Sequence, residues 1–223
     1  LKTMKEVIAT VLLTLLAFAG AGSVRPAPFR EPRVLALGEN RRPAALAAGD
    51  FNRDGHLDLA VGSGGSDDVT LFLGDGKGGL RQAGSFPAGP APNEMVAADF
   101  NRDGNLDLAI ANHGVARITV ILGDGRGGFR LGPRIPTGVG SGDVAVGDVD
   151  GDGIADAATV NAGSRDITLA YGGAGGLSPA STATVPGAER SWRILLADFD
   201  GDRRADAVTA SPEDHTVTVF LAR

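Results

Sequence analysis

The chain contains no cysteine among its 223 residues. Disulfides, thiolate chemistry, Cys-based zinc sites and lipid attachment through Cys are therefore excluded. Aromatic residues make up only 5%, with one Trp and one Tyr, and Lys and Arg are scattered. That is not the composition of a basic, aromatic-interleaved nucleic-acid surface. Helical periodicity is missing too: beyond the N-terminus no long stretch places apolar residues at helical spacing. There is no HExxH and no nucleophile elbow, and His56, His113 and His215 lie far apart in the sequence. Two GxGxxG stretches, Gly74 to Gly79 and Gly123 to Gly128, each follow one strand-like run and precede another. A dinucleotide site needs a helix N-terminus at that point, so both read as turns.

What the chain does have is glycine and proline, 34 and 12 residues, together with 43% hydrophobic residues. This suits many short strands joined by tight turns around a core of moderate size. At the N-terminus Lys2 and Lys5 precede an apolar run from Val7 to Ala19, followed by Ala19-Gly20-Ala21. Such a layout predicts a secretory signal over residues 1–21, with the run too short to span a bilayer. A proline-bearing linker over 22–32 and a folded region over 33–223 follow. The expected location is secreted, periplasmic or extracellular, with no membrane span once the signal is removed.

The folded region is organised by one stretch that returns. Asp50 to Asp58 reads DFNRDGHLD, Asp99 to Asp107 DFNRDGNLD, Asp148 to Asp156 DVDGDGIAD and Asp198 to Asp206 DFDGDRRAD, with starts 49, 49 and 50 residues apart. A fixed period of this size marks a repeat architecture. Each unit holds a short apolar run before the Asp stretch (strand A, as at Leu46-Ala47-Ala48). A second run follows directly (B, as at Leu57 to Val61), and then a loop that differs in every unit. A β-branched run comes next (C, as at Val69 to Leu73), and after a glycine turn a fourth strand (D) starts at Leu80, Phe129 and Leu177. The unbroken apolar character of A predicts burial on both faces. Four strands per repeat predict an all-β propeller of about four four-stranded blades. The last unit ends after strand C, while Phe29 to Leu37 is D-like, so this N-terminal strand is expected to complete the last blade and close the ring.

Oxygen-bearing side chains recur at positions 1, 3, 5 and 9 of the Asp stretch. In a loop that wraps once they point to one centre, and the carbonyl of position 7 joins them. Such a set suits a hard cation, Ca²⁺ rather than Mg²⁺. The expected ligands are Asp50, Asn52, Asp54, His56 and Asp58; Asp99, Asn101, Asp103, Asn105 and Asp107; Asp148, Asp150, Asp152, Ile154 and Asp156; and Asp198, Asp200, Asp202, Arg204 and Asp206. His56, Asn105, Ile154 and Arg204 enter through the backbone. Gly55, Gly104 and Gly153 allow the sharp turn, whereas Arg203 stands there in the fourth loop and weakens it. Of the 27 acidic residues 14 lie in these loops, so the net charge of −6 is local rather than a steering field.

The stretches GDFNRDGHLDLAV, ADFNRDGNLDLAI, GDVDGDGIADAAT and ADFDGDRRADAVT, with LGDGKGGL and LGDGRGGF, resemble the FG-GAP or VCBS-type repeat of integrin-alpha-like propellers. The resemblance covers roughly residues 29–223 and implies a Ca²⁺ loop between strands A and B. Such propellers commonly have seven blades. About four here leave a small closed ring, self-association with a second copy, or a fragment as readings. Strand direction puts the A–B loops and C–D turns on one face and the variable B–C and D–A loops on the other. A protein or glycan ligand is expected on that second face, with Trp192, Arg190, Arg193, Asn93 and His113 as contacts. The predicted role is a non-catalytic binding or adhesion module. A lectin-like propeller is the alternative, and a polysaccharide lyase a third reading that would need a cluster of Lys, Arg, His or Tyr at the channel mouth, Tyr171 being the one Tyr.

Overall fold

The computed structural model describes residues 32–223; the signal assigned to 1–21 and all but the last residue of the 22–32 linker lie outside them. Residues 32–37 hold no strand. From Gly38 to Arg223 the chain forms one compact unit.

Four antiparallel sheets follow in chain order. Sheet 1 holds β1 (Pro43–Gly49), β2 (Asp58–Ser63), β3 (Asp68–Gly74) and β4 (Leu80–Pro87). Sheet 2 holds β5 (Pro92–Ala98), β6 (Asp107–Asn112), β7 (Arg117–Gly123) and β8 (Phe129–Pro136). Sheet 3 holds β9 (Ser141–Gly147), β10 (Asp156–Asn161), β11 (Asp166–Ala170) and β12 (Thr182–Pro186). Sheet 4 has β13 (Arg193–Ala197), β14 (Asp206–Ser211) and β15 (Thr216–Phe220). Each sheet is a simple up-and-down meander. The strands A of neighbouring sheets lie against one another, β1 on β5, β5 on β9 and β9 on β13. The molecule is thus an all-β propeller whose blades pack face to face, with strands A innermost.

Alternation along each strand sorts its side chains between two neighbours. On β6, Leu108 and Ile110 join the core shared with sheet 1. Ala109 and Ala111 face the other way and join Ile118, Val120 and Leu122 of the same sheet in the core shared with sheet 3. Small residues on strand B and large ones on strand C interdigitate with the next sheet in this way at every junction. Glycine is needed where the sheets come closest: a Cβ on Gly147 would stand 2.7 Å from Ala205 Cβ.

The same outgoing positions recur in each unit. Phe51, Val69, Leu71 and Leu73 of sheet 1 pack on sheet 2. Phe100, Ile118, Val120 and Leu122 pack on sheet 3. Val149, Ile167, Leu169 and Tyr171 pack on sheet 4.

Two expectations are corrected and a third is not shown. Strand A is not buried on both faces throughout: Leu46 on β1 and Leu195 on β13 are exposed, because the first and last sheets have a described sheet on one side only. The third strand D starts at Thr182, not Leu177; Leu177 is buried in the core between sheets 2 and 3 instead. Pro179, which has no N–H for a ladder, lies between them. Ring closure by an N-terminal strand is not seen among the described residues. Sheet 4 has three strands, and no packing like that of β9 on β13 joins β13 to β1. Phe29 itself lies outside the described residues.

Candidate functional site

The four A–B hairpin loops share one construction. The position-1 carboxylate accepts loop N–H groups with both oxygens: Asp50 from Asp54 and Gly55, at 3.0 and 2.8 Å. Asp99 does the same from Asp103 and Gly104, Asp148 from Gly151 and Gly153, and Asp198 from Gly201 and Arg203. The position-5 carboxylate accepts the position-7 N–H in every loop, from His56, Asn105, Ile154 and Arg204. These bonds coil the chain around the carboxylates and leave further oxygen lone pairs on the inside of the coil.

The third position separates two kinds of loop. Asn52 accepts the Asp54 N–H and donates its own amide to the Asp54 carboxylate; Asn101 treats Asp103 alike. The Asn52 amide, followed by the His56 N–H, holds the Asp54 carboxyl below its ordinary value. In the last two loops an aspartate takes this place and carboxylates crowd together. Oxygens of Asp148, Asp150 and Asp152, and of Asp198, Asp200 and Asp206, lie within 4.8 Å of one another. Two ligands on opposite sides of one Ca²⁺ stand about 5 Å apart, given Ca–O distances of about 2.3–2.6 Å. Both clusters therefore fit around a single cation. The fourth loop, ranked last on sequence because of Arg203, carries one of these two clusters.

Position 9 does more than the sequence reading foresaw. Asp58, Asp107, Asp156 and Asp206 are buried. One oxygen accepts the N–H of position 2 (Phe51, Phe100, Val149, Phe199) and the other the N–H just at or after the end of strand C (Gly74, Gly123, Gly172, Ala222). Each carboxylate thus ties the A–B hairpin to the third strand. Burial pushes Asp107 up to about 6, against two backbone N–H bonds that lower it and the nearby Asp103 and Asp99 that raise it further. Asp156 is raised for the same first reason. Asp206, on the sheet with an open face, is lowered, chiefly by the Ala222 and Phe199 N–H groups. Sequence reasoning also missed Arg53 and Arg102 at position 4. Both take a left-handed backbone, φ 60° and 58°. Arg53 reaches within 3.5 Å of Asn105 Oδ1, and Arg102 donates to the Asp152 carbonyl at 2.5 Å, so the first loop is linked to the second and the second to the third. The signal was the glycine at this place in the other two units, Gly151 and Gly201.

On the opposite face a cavity of about 310 Å³ is lined by His113, Arg165, Arg190, Trp192 and Glu213, together with Gly140, Ala162 and Gly163. These residues come from the variable loops of sheets 2, 3 and 4. Arg190 bonds Glu213 at 2.8 Å, while Trp192 rests near Gly142 and stays part-exposed. Three of the five predicted contacts, Trp192, Arg190 and His113, thus meet at one place. Arg193 and Asn93 are engaged beside it. Arg193 pairs with Glu94 at 3.6 Å, and Asn93 donates to the Gly142 carbonyl. Arg165, from a loop that differs from unit to unit and so also a candidate on sequence, joins them. Tyr171 follows β11 at the acidic-loop end, where burial raises its hydroxyl pKa, so it is not part of this basic cluster.

Residues 50–110 and 99–159 match the FG-GAP-like repeat family. No curated protein matches the chain. Among solved structures, a crystal structure of BBS1N in complex with ARL6DN is similar at TM-score 0.57 and 10% identity, over 82% of this chain and 58% of that one. A protein from Lactobacillus plantarum matches at TM-score 0.52 and 14% identity, over 80% and 54%. An Agrocybe aegerita lectin, described as recognising non-reducing terminal N-acetylglucosamine, matches at TM-score 0.50 and 19% identity, over 79% and 48%. The chain spans about half the length of each of these. No helix among the described residues is long and apolar enough to cross a membrane. With its recurring acidic hairpins and face-to-face sheets, the chain is an FG-GAP-type repeat protein.

Proposed function

We propose that this propeller is a secreted, calcium-loaded binding module that recognises a protein partner through the variable-loop face and carries out no chemistry there. The observation that carries the reading is the cavity of His113, Arg165, Arg190, Trp192 and Glu213, assembled from three sheets on the face away from the acidic loops. Aromatic and Arg side chains in a shared depression are what binding hot spots are made of. Calcium is structural in this account. The ion neutralises carboxylates that would otherwise repel one another and pins the A–B hairpins. Asp148, Asp150 and Asp152, and Asp198, Asp200 and Asp206, are the sets best disposed to hold it; the Asn-bearing loops at 50–58 and 99–107 supply fewer charges and bind more weakly.

A glycan is the second reading. The cavity has the size of a sugar-binding site, Trp192 offers a stacking face, and a propeller of similar fold belongs to a lectin. Three measurements test these readings. EDTA should lower the melting temperature by several degrees and Ca²⁺ restore it; unchanged melting removes calcium from the account. Quenching of Trp192 fluorescence by N-acetylglucosamine or another sugar would move the ligand from protein to glycan. Trp192→Ala should abolish binding on a panel of extracellular proteins without moving the melting temperature, and retained binding would place recognition elsewhere.

A further inference from the structure

In the loop between β10 and β11 it is the backbone of Arg165, not its side chain, that serves the fold. Its N–H donates to the Asn161 carbonyl at 2.8 Å, and its own carbonyl accepts the Gly187 and Ala188 N–H groups at 3.2 Å. The backbone there is left-handed, φ 59°, a conformation that glycine takes without strain. Asp67 stands at the same place in the first unit, φ 56°, and its carboxylate supports the loop by accepting the Ala91 N–H. The Arg165 guanidinium has no such duty. It forms no hydrogen bond or ion pair with any described residue, and Arg165 lies exposed at the cavity wall. The charged groups around it are already engaged. Arg190 pairs with Glu213, and the Asp214 carboxylate accepts from the Ser211 hydroxyl and the Arg190 N–H. Those two bonds hold the Asp214 carboxyl below its ordinary value, and the Arg165 charge adds to them only from beyond ion-pair distance.

On the reading that this face binds a protein, we propose that the cavity takes an acidic side chain of the partner, with Arg165 holding its carboxylate and Trp192 covering the apolar residue beside it. A planar guanidinium binds a carboxylate through two parallel N–H donors, and such charge-assisted bonds are stronger than neutral ones. The complementarity is local. The protein as a whole carries a net charge of −6, so an acidic segment gains nothing from the general field and is drawn by the cavity itself. An arginine held in a left-handed conformation strains the loop without supporting it, which is the pattern of a ligand-binding position. A peptide suits the cavity better than an acidic sugar does. A sugar ring needs partners for its hydroxyls, whereas Arg190 and Glu213 satisfy each other and Gly140, Ala162 and Gly163 carry no polar side chain.

Trp192 is the one Trp, so its fluorescence reports on the cavity directly. The acetylated tetrapeptide Leu-Glu-Leu-Glu should change that fluorescence and bind about tenfold more tightly than Leu-Gln-Leu-Gln, which keeps the shape and loses the charge. High salt should narrow the difference. Arg165→Gly should bind both peptides equally weakly, while its melting temperature stays level or rises as the left-handed backbone is relieved. A fall of several degrees would mean that the guanidinium supports the loop, and overturns the proposal. So does equal binding of the two peptides by the native chain, which leaves the face a protein-binding one without a carboxylate anchor. No response to the acidic peptide likewise overturns it, and if oligogalacturonate responds instead, the protein reading falls with it.

Discussion

Asp107 is a small-scale case of the tension that runs through each repeat. Its carboxylate is fully buried, yet it is needed to accept the Gly123 and Phe100 N–H groups. A carboxyl raised from 3.8 to about 6 holds a proton more tightly in the folded state than in the unfolded one. Its contribution is therefore neutral below pH 4, erodes stability as the pH rises through 4 to 6, and levels off above that. The loss is ~3 kcal/mol at 1.36 kcal/mol per pKa unit. A cation in the 99–107 loop reverses the sign, since it favours the charged form. Carboxyl ¹³C NMR in EDTA should show an Asp107 midpoint near 6, and saturating Ca²⁺ should move it below 4. A midpoint at the ordinary value without metal would show that burial is not felt. This role was not legible in the sequence. The spacing of Asp107 within its loop marked it as a ligand, but its Gly123 partner lies sixteen residues on, at a point fixed only when β7 pairs with β6.

At the scale of the hairpin the sequence was a better guide. The A–B turns fall where the Asp stretches predicted, and β4 and β8 begin at the expected Leu80 and Phe129. Backbone sign was half visible. Position 6 is left-handed in all four loops, with Gly55, Gly104 and Gly153 at φ 77–84° and Arg203 at φ 74°. A side chain there strains the backbone by ~1 kcal/mol or more. Arg203→Gly should therefore raise the stability of the protein by about 1 kcal/mol in urea denaturation. It also removes a positive charge beside Asp198, Asp200 and Asp206 and should tighten Ca²⁺ there. A neutral or destabilising result would mean that the guanidinium itself supports the loop. The same conformation at Arg53 and Arg102 was not foreseen, because their contacts cross to neighbouring loops that the linear pattern does not place beside them.

For the molecule as a whole, the period of 49 residues disclosed the class of fold, but not how the arc ends. Leu46 and Met95 read alike in their repeats, yet one is exposed and the other buried. The difference is the presence of a preceding sheet, which no local pattern records. The variable-loop cavity was partly legible for a similar reason. Segments that differ between units stood out, while their convergence at Trp192 needed three sheets set side by side.

The substantial contacts between sheets all join neighbours in chain order. Such a stack behaves as a row of coupled units rather than as a sphere with a single centre. Opening should then begin at whichever outer unit lacks a neighbour and travel inward, with each step removing one junction. Amide hydrogen exchange should be slowest in β6 and β10 and fastest in β15, whose outer edge pairs with no strand among the described residues. Uniform protection across all four sheets would instead mean that the row melts as one body. Fraying of this kind would make the end units the part of the protein most exposed to proteases, and any assembly that shields them a means of lengthening its life.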